Sequence, residues 1–281
     1  MKHSFNKRTF LLSVVVISFF IPLAEWIRPE RPTPPADLKL IQQLERFSPS
    51  LLRIDDMTGL LQYTDSVYGH TRIQPNDTMR YVNQLAQVIK MRFYHGYSYH
   101  QFGFNTIGWA LAPLIKSDLS ATVLPDHILK FSYAACSQQS IVFFEALTLK
   151  KLTWRKVGLG NQQGGHFATE VWWNKQWHFY DVNKEPHEEL LIPRDRPSLE
   201  RILNTPGLID SVYADRMNVS PSAFFQNPTY GEPNKNPAPR GGLYQRTTTL
   251  LSYTLPIWIL LVGWVVGWLK KRPKQTNAGI A

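Results

Sequence analysis

Two uncharged runs frame the chain. Thr9–Ala24 reads TFLLSVVVISFFIPLA, 16 residues, and Leu250–Leu269 reads LLSYTLPIWILLVGWVVGWL, 20 residues. The second matches the ~20 apolar residues a helix needs to cross a bilayer, and its tryptophans suit the interface. The first is shorter and competes with a cleavable leader. Pro22 at the first small position of a small-x-small cleavage pattern argues for a retained anchor. The Pro- and Gly-rich stretches RPERPTPPAD (Arg28–Asp37) and NPTYGEPNKNPAPRGG (Asn227–Gly242) adjoin the runs and read as stiff linkers. The expected layout is a tail and anchor over 1–27, a linker over 28–36, one domain over 37–226, a linker over 227–249, a transmembrane helix over 250–269 and a tail over 270–281.

Inside the domain the apolar period changes along the chain. A first helix is expected over Asp37–Phe47. In MRYVNQLAQVIKMRFYH, Val82, Leu85, Val88 or Ile89, and Phe93 share one helical face, Asp77 or Thr78 can cap it, and Gly96 suits its end. TIGWALAPLI reads as a short helix within an aromatic-rich stretch. From Cys136 to Leu152 a helix fits that is apolar almost all round, so it belongs in the middle of the domain. Three strands follow: Thr153–Leu159, His166–Trp173 and Gln176–Val182. A turn lies in Asn161–Gly165, and the polar pair Asn174-Lys175 joins the last two strands. A buried helix followed by an antiparallel sheet is an α+β layout.

Composition agrees with a folded chain: of 281 residues, 43% are hydrophobic and 19% charged. The net charge of +10 could suggest nucleic acid, but its distribution does not. Lys2, Lys7 and Arg8 precede the first run, and Lys270, Lys271, Arg272 and Lys274 follow the second. These seven leave only +3 for everything between, so no nucleic-acid partner is expected. Cationic flanks stay cytoplasmic. Both termini are therefore expected inside an inner (cytoplasmic) membrane, held by two helices, with the domain outside it. One Cys and scattered His offer no metal spacing, and there is no phosphate loop or dinucleotide fingerprint, so neither metal nor cofactor is expected.

The single cysteine then stands out. Cys136 lies at the start of the buried helix, where free N–H groups and the helix dipole favour thiolate. A cysteine nucleophile also needs a base, and the base an orienting group. A two-residue turn at Asn174-Lys175 pairs Trp173 with Gln176, Glu170 with Phe179 and Ala168 with Asp181. His166 and Asp181 then share a sheet face as diagonal neighbours; a three-residue turn would put them on opposite faces. His178 alternates to the other face, His187 falls in a loop, and Glu170 reads as a salt-bridging or solvated group. An oxyanion hole would use the Cys136 N–H and an upstream side chain, with Gln101, Asn105 and Trp109 as candidates.

The segments YAACSQQSIVFFEAL, WRKVGLG and GGHFATEVWWNKQWHFYDVNKEP together resemble the transglutaminase-like superfamily, relatives of papain-type thiol enzymes. The resemblance covers Asp126–Pro186, the expected core of 126–186. It implies a central helix packed on an antiparallel sheet, with Cys136 as nucleophile, His166 as base and acid, and Asp181 as orienter. Ala134 and Ala168 stand where the family often has glycine and an aromatic residue. The implied activity is amide hydrolysis, transamidation or acyl transfer through a thioester. The implied substrates are envelope peptide, peptidoglycan or polysaccharide. The other expectation is a non-catalytic scaffold of an envelope assembly complex.

Overall fold

The computed structural model describes residues 7–27, 36–74, 76–161, 164–184 and 186–271. Helices run in the order α1 (Lys7–Ile27), α2 (Leu38–Leu44), α3 (Met57–Tyr68), α4 (Thr78–Arg92), α5 (Thr106–Ile115), α6 (Pro125–Ile128) and α7 (Cys136–Leu149). Strands β1 (Thr153–Asn161), β2 (Gly164–Trp173) and β3 (Gln176–Tyr180) come next. Then follow α8 (Glu188–Leu191), α9 (Leu199–Leu203), α10 (Leu208–Val212), α11 (Pro221–Phe224), strand β4 (Thr229–Tyr230) and α12 (Pro239–Lys271).

The chain forms two compact units. One comprises 1–28, 100–120 and 243–281; the other comprises 29–99 and 121–242. The units cut across the expected 37–226 domain, because 100–120 groups with the terminal helices. The second unit is α+β, with a four-stranded antiparallel sheet in the order β3-β2-β1-β4. Helix α7 is buried along most of its surface, with Ser137, Glu145, Thr148 and Leu149 at its less covered side. Val142, Phe143 and Leu147 pack with Leu85 and Ile89 of α4 and with Trp154, Val171 and Tyr180 of the sheet. Phe144 stacks on Trp154 at 4.1 Å, which fixes α7 to β1. Residues of opposite parity, Val157, Leu159, Ala168 and Phe179, pack against Leu199, Ile202, Ile209, Val212 and Tyr213. The sheet is therefore covered on both faces.

Several expected boundaries move for local reasons. Helix α4 ends at Arg92 rather than near Gly96, because Tyr94 turns extended and bridges Tyr133. The Asp77 carboxylate does not cap α4; it accepts from Tyr68 and pairs with Arg80. Helix α7 stops at Leu149 and α2 spans only Leu38–Leu44. Strands β1 and β2 run further toward their shared turn than expected, while β3 ends at Tyr180. Gln162 and Gln163 of that turn lie outside the described residues, as do nearly all of the 28–36 linker and the ends of both tails. Helix α3 was not expected. Its start is capped by Asp56, whose carboxylate accepts from the Gly59 N–H at 2.6 Å, and its end by Gly69 at φ +93°. The expected 227–249 linker is partly bound to the sheet: β4 pairs with β1, and Gly231 and Asn234 donate to the Lys156 and Trp154 carbonyls. Gly158 permits this approach, since a Cβ there would meet the Thr229 hydroxyl at 2.5 Å.

The first unit consists of α1, α5 and α12. Helix α12 begins eleven residues before the uncharged run, and among the described residues Pro239–Trp268 is the one helix long and apolar enough to cross a membrane. The second expected spanning helix, α1, does not meet that measure over its described residues. Polar ties hold the three helices together. The buried Glu25 carboxylate of α1 accepts the Asn105 and Thr106 N–H groups at 2.9 and 2.7 Å, where α5 starts. Asn105 Nδ2 donates to Thr248 of α12 at 2.9 Å.

Candidate active site

The hairpin register decides the site. Trp173 pairs with Gln176 and Glu170 with Phe179, as the two-residue turn at Asn174-Lys175 predicts. That turn places Asn174 and Lys175 at φ +46° and +62°, the left-handed geometry such tight hairpins require. His166 and Asp181 consequently stand on one face, and His166 Nε2 meets Asp181 Oδ2 at 2.7 Å. The Cys136 thiol is the imidazole's other partner, and the two interact strongly enough to shift each other's proton affinity. All three side chains are in a low-dielectric setting: Cys136 is 8%, His166 4% and Asp181 2% exposed.

The electrostatics follow from this chain of contacts. Burial opposes ionisation of Asp181, but the His166 charge and hydrogen bond prevail, with help from the Lys184 and Asn183 N–H groups, and its pKa falls to about 2. Burial would neutralise His166; the Asp181 carboxylate overrides it and raises the imidazole to about 9, with the thiol adding to the effect. Burial likewise resists thiolate formation at Cys136, and the hydrogen bond and charge of His166, together with the Phe167 backbone, bring the thiol below its ordinary value. All three shifts act in the direction of a thiolate–imidazolium pair steadied by a carboxylate.

Neighbouring residues hold this arrangement. Asp181 Oδ1 accepts from the Asn183 and Lys184 N–H groups at 3.0 Å each. The Tyr213 hydroxyl, fully buried beside α10, donates to Asp181 Oδ2 at 2.9 Å. Ser140, one turn after Cys136, donates to the Phe167 carbonyl at 3.2 Å and ties α7 to the strand that carries His166. Gln138 fixes the entry to α7: its Oε1 accepts from Ala135 and Ser98 N–H, and its Nε2 donates to the Ser98 and Thr122 carbonyls. His95 also belongs to this neighbourhood. Asn183 Nδ2 lies 3.2 Å from its Nδ1, and burial, Lys184 and His166 lower its pKa and favour the neutral ring.

Cys136 and His166 line a cavity of about 400 Å³ within the second unit. Gly158, Gly160 and Gly165 form part of its wall, together with Tyr97, Asn227 and Thr229, and no Asp, Glu, Lys or Arg lines it. Among the described residues no group of His, Cys, Asp and Glu is arranged to hold a metal ion.

The remaining expected residues sort cleanly. Glu170 pairs with Arg155 Nη2 at 2.6 Å and accepts the Leu199 N–H, a structural role. His178 is buried on the opposite face, stacked 3.4 Å from Trp173 with its nitrogens on backbone carbonyls. His187 pairs with Glu189 and Asp215 on the surface. Gln101, Asn105 and Trp109, the expected oxyanion donors, all belong to the first unit, where the Asn105 side chain caps α5 at Gly108 and bonds Thr248. The upstream side chain that lines the cavity is Tyr97. Neither Tyr97 nor Tyr213 carries a sequence signal: Tyr97 is one of three tyrosines over Tyr94–Tyr99, 39 residues before Cys136, and Tyr213 follows a five-residue helix, 32 residues after Asp181. Comparison with family models, curated proteins and solved structures returns no match for this chain.

Proposed function

We propose that the chain is a membrane-anchored, cysteine-dependent acyl-group enzyme of transglutaminase-like type. The observation that carries the reading is the contact from Cys136 through His166 to Asp181, with the thiol facing a cavity that no Asp, Glu, Lys or Arg lines. In this reading the Cys136 thiolate attacks an amide or ester carbonyl, and a C–S bond forms. The developing oxyanion is met by the Cys136 N–H, one of the N–H groups without an intrahelical partner at the start of α7, and by the Tyr97 hydroxyl. His166 gives its proton to the leaving amine or alcohol as the carbonyl re-forms, leaving a thioester. Water or a second amine then attacks, His166 takes the incoming proton, and the C–S bond breaks to regenerate the Cys136 thiolate and release the new acid or amide. Asp181 keeps the ring oriented and stabilises the imidazolium.

The remainder of the proposal concerns location. Helix α12 crosses the membrane with Lys270 and Lys271 on the cytoplasmic side, α1 is a second anchor, and the α+β unit works outside on envelope peptide, peptidoglycan or polysaccharide. The test needs no substrate. Iodoacetamide should alkylate Cys136 in the purified full chain faster than a free cysteine at pH 6–7, and His166→Ala should abolish that advantage. A thiol that titrates near ~8.5 and reacts like free cysteine supports the scaffold reading and overturns this one.

A further inference from the structure

Helix α5 has no charged residue between Thr106 and Ile115. Its outward side chains are large and apolar: Leu114 is 81% exposed, Ile115 63% and Trp109 50%. Exposed Phe102 meets the Trp109 ring edge-on at 6.3 Å. Leu111, Leu114 and Ile115 fall on one face of the helix, and exposed apolar side chains gathered on one face mark a contact surface.

What covers the patch follows from how α5 is tied within its unit. The Ile107 N–H donates to Ser252 Oγ, Asn105 Nδ2 to Thr248, and the Tyr244 hydroxyl to the Gly108 carbonyl. Those α12 residues straddle Leu250, where the uncharged run begins. They span eight residues, about 12 Å of helix axis. The first turn of α5 is therefore fixed level with the entry to the apolar run, the depth at which acyl chains give way to headgroups. Farther along α12, Ile257, Leu260, Val262 and Trp264 are exposed in the same way, so both helices of this unit present bare apolar side chains. Immediately after α5, Lys116 and Asp118 form an exposed ion pair at 2.8 Å, which suits a return to water.

We propose that α5 is an interfacial helix. Leu111, Leu114 and Ile115 enter the acyl region of the leaflet where α12 begins, and Trp109 lies among the headgroups. The partner is the lipid bilayer itself. The inference rests on the reading of α12 as a spanning helix, and its test separates the two. Cys136→Ser removes the native thiol, and single cysteines are placed at Leu114, Leu260 or Glu200 of the full chain. Each is spin-labelled in phosphatidylcholine–phosphatidylglycerol vesicles, and its collisions with oxygen and with a water-soluble nickel chelate are measured. The label at 114 should favour oxygen several-fold, as at 260, while 200 favours nickel. Label 114 behaving as 200 does, with 260 still oxygen-selective, overturns the α5 proposal and leaves the span intact. A label at 114 shielded from both reagents overturns it in favour of a protein partner. Nickel access at 260 overturns both readings.

Discussion

His166 and His178 are both buried, lie on adjacent strands of one hairpin, and differ by strand parity. His178 points toward the α7 side, stacks on Trp173 and bonds only main-chain carbonyls. His166 points the other way and has a carboxylate and a thiol as its partners. The first histidine fills and fastens the core; the second is shifted toward its charged form, chiefly by the carboxylate beside it. Two imidazoles of similar burial thus differ in chemistry because their neighbours differ, and their neighbours are set by which face each occupies.

Removing each ring should break the comparison most sharply. His166→Ala is expected to lower the alkylation rate of Cys136 at pH 7 by about 10²-fold or more, the usual scale for loss of a positioned proton-transfer group. His178→Ala should leave that rate unchanged in the folded protein while lowering stability by about 2–4 kcal/mol in denaturant titration, through a cavity and unpaired carbonyls. A large rate loss in the His178 variant at full folding would erase the distinction. Asp181→Asn comes next. It should slow alkylation by about tenfold to 10²-fold and move the pH midpoint of the thiol upward, because the imidazolium loses its counter-charge.

The pH dependence of stability sharpens the same contrast. Asp181 has a depressed folded pKa, so its contribution is present above the unfolded value of ~3.9 and is lost as pH falls through about 2. His166 has a raised one, so its contribution is complete below ~6.5 and is lost as pH rises through about 9. Thermal melts of wild type against Asp181→Asn should therefore differ most between pH ~4 and ~6.5 and differ less above about 9, where only the His166 part of the interaction is lost. Equal differences at every pH would show the pair to be uncharged. The smallest effect is expected for Tyr213→Phe, which removes one of several donors to Asp181: about 1–2 kcal/mol of stability and a rate change of a few fold, without the upward shift of the thiol pH profile expected for Asp181→Asn, because the counter-charge stays.

The hairpin was legible because its information is local. Asn174-Lys175 sets the turn, the turn sets the register, and the register puts His166 beside Asp181. Buried helix α7 was legible for a related reason, since an apolar run without a polar face has only one place to go. Helix α3 was missed although Asp56 and Gly69 mark its ends, because its buried residues are few and interspersed with polar ones. The short helices that supply Tyr213 and the β4 edge that supplies Thr229 have too few residues for any period to show. Asn105 illustrates the opposite error: a polar side chain upstream of the cysteine looked available, but it is occupied in α5 and α12.

Sequence alone determined the uncharged runs, the central helix, the strand order of the hairpin and the residues able to act as thiol, base and acid. These depend on period and turn geometry, which act over a few neighbouring residues. Tertiary structure alone decided that Tyr213 braces Asp181, that Tyr97 shares the cavity, that Glu25 caps α5, and that the supposed linker begins as an edge strand. Each joins residues tens of positions apart, and only the packing of the folded chain specifies which distant polar groups meet.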